Sequence, residues 1–94
     1  MQGPVRPIRK ADELPEQERK RYEQARSANR PRIRKELEQR GCPEILRGDW
    51  ESILVHRAAL DEVNRERGAA DVRMERDAWE MATTKGWMHA DRLK

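Results

Sequence analysis

The chain has 94 residues, enough for one small domain, with 41% charged and 35% hydrophobic residues, no Phe and a net charge of +3. No apolar run approaches a membrane span, no signal-peptide core follows the N-terminus, and Gln2 after Met1 leaves no myristoylation pattern. The single cysteine, Cys42, excludes an intramolecular disulfide and a cysteine-based zinc cluster, and the expected location is a reducing cytoplasm.

The first segment, "MQGPVRPIRK", carries two prolines, a glycine and three positive charges without any period. Residues 1–11 therefore read as a flexible tail. "ADELPEQERK" then resembles a helix entry, because Pro15 is tolerated in a first turn and Asp12, Glu13, Glu16 and Glu18 suit the positive end of a helix dipole. This helix is expected to end near Ser27. Pro31 inside a continuous helix would remove a hydrogen bond and crowd the preceding turn, at a cost of about 3 kcal/mol. A break at "SANRP" is therefore expected, with a second helix from Pro31 to Arg40 and Gly41 as a left-handed cap.

"CPEILRG" reads as a short helical turn closed by Gly48. Asp49 is a good N-cap for the strongest element, expected from Trp50 to Arg67 and stopped by Gly68. Its apolar residues fall in two stripes. Ile53, His56, Leu60 and Val63 form one, widened by Ala59, and Trp50, Leu54 and Ala58 form the other, with Arg57, Asp61 and Asn64 between them. The last helix is expected from Ala70 or Asp71 to before Gly86. Val72, Met74, Ala78, Trp79, Met81 and Ala82 share its apolar face, and Arg73, Arg76, Asp77 and Glu80 its polar face. A short tail with Trp87 follows.

No stretch alternates apolar and polar residues in the manner of a strand. The expected class is all-α, a small bundle of four main helices. Residues 12–41 read as a basic helical arm, and residues 42–94 as a compact helical domain. The apolar content is low for a chain of this size, so self-association is expected to complete the core.

The stretch "RKRYEQARSANRPRIRK", Arg19 to Lys35, contains one acid, Glu23. Four of its eight cations have an acid at i,i+4, the normal pattern of a solvated helix face. Arg21, Arg26, Arg30 and Lys35 do not, and these four are the candidate phosphate contacts of a nucleic-acid grip. Tyr22 is the one ring nearby and is placed to stack on Arg26. "RKELEQRGCPEILRG" fits a helix-turn-helix poorly, because Leu37 stands where a small residue is wanted and Gly48 would end the recognition helix.

Three functional readings follow. The first is a non-enzymatic accessory or regulatory protein of the bacterial or phage kind, whose basic arm engages nucleic acid or an acidic protein surface while its body forms a homo-oligomer. The second is an inhibitor or adaptor that docks through Trp50, Leu54, Trp79 and Trp87, since Trp and Met are favoured at binding surfaces. The third is a small hydrolase or nuclease built on His56, Glu75 and His89, with His56 or Arg57 meeting Glu75 where two helix faces join. No metal-ligand spacing, glycine-rich phosphate loop or nucleophile with its base is present, so no cofactor and no metal are expected.

Overall fold

The computed structural model describes residues 6–69 and 73–86 of the chain. Among them are three α-helices and no strand: α1 (Glu16–Gln39), α2 (Glu44–Glu66) and α3 (Met74–Met81). A 3₁₀ turn at Ala11–Glu13 precedes α1, and a π-type turn at Ala82–Gly86 extends α3. The all-α class holds, while the expected fourth helix does not exist as a separate element. None of these helices is long and apolar enough to cross a membrane.

The count differs because two expected breaks are absent. α1 runs through Pro31, which lies on its exposed face. The carbonyl freed by the missing N–H belongs to Ser27, also exposed, so water can solvate it. On the opposite face Tyr22, Ala25, Ile33 and Leu37 are buried, two before the proline and two after it. Burying Ile33 and Leu37 gains about 1.5–3 kcal/mol each, enough to offset the proline. α2 similarly runs through Gly48 and Asp49, so Asp49 is an interior residue and Pro43 stands at the N-cap. Leu46 and Trp50, on either side of Gly48, both pack against the core and hold the helix together there.

The two glycine stops are as expected. Gly41 has φ +82° and Gly68 φ +95°, the left-handed region that glycine tolerates best. Each closes a Schellman motif. Gly41 and Cys42 donate to the carbonyls of Glu38 and Leu37, and Gly68 and Ala69 to those of Arg65 and Asn64. The first turn folds α2 back antiparallel to α1, so that Glu18 faces Arg67 at one end and Arg34 faces Glu51 at the other.

The basic segment is therefore packed along the body rather than held out from it. Ile33 and Leu37 of α1 share one buried cluster with Leu54, Val55 and Ala58 of α2 and Ala78 and Trp79 of α3. A second cluster joins Tyr22 and Ala25 to Ala59, Leu60, Val63, Met74, Leu14 and Ile8. Ile8 belongs to the expected flexible tail, yet its extended backbone is held by Asn64. The Ile8 N–H donates to Asn64 Oδ1 at 2.7 Å, and Asn64 Nδ2 donates to the Ile8 carbonyl at 2.9 Å.

A candidate anion-binding cleft between the helices

Three of the four cations expected to be free are engaged within the fold. Arg21 reaches Glu66 at 2.9 Å and Glu62 at 3.3 Å on α2. Arg30 meets Glu51 at 2.8 Å, and Arg34 meets the same carboxylate at 2.7 Å. Hydrogen bonding from Arg34, joined by Arg30, holds the Glu51 carboxyl below its ordinary range although burial opposes this. Arg26 pairs with Glu23 at 3.5 Å, and its guanidinium lies 5.7 Å from the Tyr22 ring centroid. Lys35 is exposed and takes part in no ion pair among the described residues. The i,i+4 rule considers only partners on the same helix. The acids that hold Arg21 and Arg30 lie across the α1–α2 interface.

The expected His56–Glu75 meeting does not occur. Tyr22 Oη lies 2.5 Å from His56 Nδ1, with the rings edge to face at 5.7 Å between centroids. Burial pushes the His56 imidazole below its ordinary value, helped by the charges of Arg57 and Arg26, and burial raises the Tyr22 hydroxyl. Glu75 instead receives two hydrogen bonds from Arg32, at 2.9 and 3.0 Å, and one from Trp79 Nε1 at 2.9 Å. His89 and Trp87 lie outside the described residues. Among the described residues no three His, Cys, Asp or Glu side chains gather to hold a metal ion.

The expected docking residues lie mostly in the core. Leu54 is fully buried, Trp79 is 7% exposed, and half-buried Trp50 packs against the same cluster. On α2, Ile45 and Ile53 are the large apolar residues left exposed. Isolated residues of this kind are ordinary on a protein surface. Met81, expected on the apolar face of the last helix, is also exposed. The polar strip between the two stripes of α2 is partly used within the chain. Asn64 holds Ile8, and Asp61 accepts the Met74 and Glu75 N–H groups at 2.8 and 2.9 Å, capping α3 from the neighbouring helix. Burial raises the Asp61 carboxyl, and these two bonds oppose the rise.

Beside that cap, a cleft of about 530 Å³ opens between the end of α1, the end of α2 and the start of α3. Its carboxylates are all engaged. Asp61 caps α3, Glu75 holds Arg32 and Trp79, and Glu36 holds Arg40 at 2.7 Å. Arg40 also lies 4.5 Å over the Trp79 ring, which forms part of the wall. The remaining lining is Arg65, Arg73 and Arg76, and none of the three is in an ion pair among the described residues. Arg73 and Arg76, outside any direct ion pair among the described residues, and Arg65, which feels the charge of Asp61 without a direct pair, surround one concavity and form an anion-binding arrangement. Neither Arg73 nor Arg76 stands out in the sequence, because both sit on an ordinary polar helix face and Arg65 is far from them in the chain.

No protein-family model matches the chain, and neither the curated proteins nor the solved structures give a match.

Proposed function

We propose that this is a small non-enzymatic helical module that binds nucleic acid through phosphate contacts, with the cleft rather than the face of α1 as its centre. The observation that carries this reading is the division of the arginines. Arg21, Arg26, Arg30, Arg32 and Arg34 are spent on acids of the same chain, while Arg65, Arg73 and Arg76 line one cleft outside any direct ion pair among the described residues. Arg6, Arg9, Lys10 and Arg19, exposed and outside any ion pair among the described residues, add positive charge near the start of α1. Phosphates that meet such cations release condensed counterions, which makes the affinity depend on salt.

Fluorescence anisotropy of a labelled single strand over a range of salt concentrations tests the reading. Each phosphate contact contributes about 0.7 to the slope of log affinity against log salt, so loss of the three cleft arginines lowers it by about 0.7 for each phosphate they hold. The Arg65→Ala/Arg73→Ala/Arg76→Ala variant is expected to show this fall with its melting temperature kept. An Arg21→Ala/Arg30→Ala variant is expected to keep most of the slope and to melt earlier, because those residues tie α1 to α2. A wild-type chain without salt-dependent affinity for single or double strands overturns the reading.

A further inference from the structure

We propose that the cleft receives a terminal phosphate, a phosphomonoester, at the end of a nucleic-acid strand. The carrier rests on the nucleic-acid reading above; the phosphomonoester site itself does not.

Arg65 comes from the last turn of α2, Arg73 from the residue before α3, and Arg76 from the first turn of α3, so three separate backbone positions contribute to one cavity. Each guanidinium presents five N–H donors in a planar fork, suited to two oxygens at once. A phosphodiester within a strand offers two free oxygens and one negative charge. A phosphomonoester offers three oxygens and a charge of about −1.5 to −2 at neutral pH, and so matches more of these donors. The positive end of α3 points the same way, although Asp61 already occupies two of its amides.

Size and competition agree with this ligand. A cavity of about 530 Å³ is in the range of small-ligand sites. It admits the last nucleotide of a strand, whereas a duplex presents its backbone on a convex surface. Among the described residues the carboxylates that face the cavity are Glu36, Asp61 and Glu75, and each is committed to another partner, so none need be displaced by an incoming anion. Trp79, held by its indole N–H on Glu75 and covered by Arg40, gives the cavity a rigid side.

The experiment compares three ligands on the full chain: a 3′-labelled single strand with a 5′-phosphate, the same strand with a 5′-hydroxyl, and adenosine monophosphate. The phosphorylated strand is expected to bind about tenfold more tightly, the worth of roughly one charge-assisted hydrogen bond. Arg73→Gln/Arg76→Gln is expected to abolish that preference with an unchanged melting temperature, while Arg6→Gln/Arg9→Gln keeps it. Equal affinity and equal salt slopes for the two strands overturn the terminal-phosphate site and leave the nucleic-acid reading standing. Adenosine monophosphate bound through Arg73 and Arg76, with no affinity for either strand, supports the site and overturns the nucleic-acid reading. No binding of any of the three overturns both.

Discussion

His56 shows how a residue that suggests catalysis by its type becomes a structural contact by its placement. The Tyr22 hydroxyl and His56 Nδ1 share a hydrogen bond, and the half-buried ring lies near the positive charges of Arg57 and Arg26. Protonation would place a third positive charge in this half-buried site. The folded pKa of His56 lies below the ordinary value of about 6.5. Its stabilising contribution is thus complete above about pH 6.5 and is lost as the pH falls through the folded value. Thermal melts are expected to be level from about pH 8 to about pH 7 and to fall as the pH drops below about 6.5. In His56→Gln the fall in this window should be shallower. Parallel curves for the two proteins would place the titration at another group.

At the scale of the element, the helices owe their continuity to what lies beneath them. Pro31 and Gly48 disfavour a helix by local preference, yet both sit within one because the buried residues on each side face the same core. This has a measurable consequence. Pro31→Ala restores the missing hydrogen bond at an exposed position and is expected to stabilise by about 1–3 kcal/mol. Gly48→Ala adds a methyl group where nothing lies within 4 Å and is expected to stabilise by about 0.5–1 kcal/mol. Urea melts of the two variants check both values. A loss of stability in Pro31→Ala would mean that the proline is accommodated by a bend that the packing requires.

At the scale of the whole molecule, Asn64 ties the segment before α1 to the middle of the fold. Its side chain is fully buried, and its amide satisfies both backbone groups of Ile8. Asn64→Ala removes both bonds and leaves two buried polar backbone groups without partners, at a cost of about 1–3 kcal/mol. Amide exchange at Ile8 should then quicken far more than exchange in the middle of α1, since α1 has its own helical hydrogen bonds and its own face on α2. Unchanged exchange at Ile8 would show that the packing of Ile8 and Leu14, not the amide, holds the segment.

Features that depend on local chemistry were legible in the sequence. The all-α class follows from periodicity, the stops at Gly41 and Gly68 from the left-handed conformation, and the exposed face of α3 from the spacing of Arg73, Arg76, Asp77 and Glu80. Tertiary structure decided how many helices there are, which arginines are free, and what Asp61 and Asn64 do. Arg21 looked free because its acids lie 41 and 45 residues away, and the role of Asn64 within the polar strip of α2 was hidden because its partner lies 56 residues away. The cleft was invisible for the same reason. Its arginines become neighbours only when α3 packs against α2, and among the described residues they make no direct ion pair because the nearby carboxylates hold Arg32, Arg40, Trp79 and the backbone of α3.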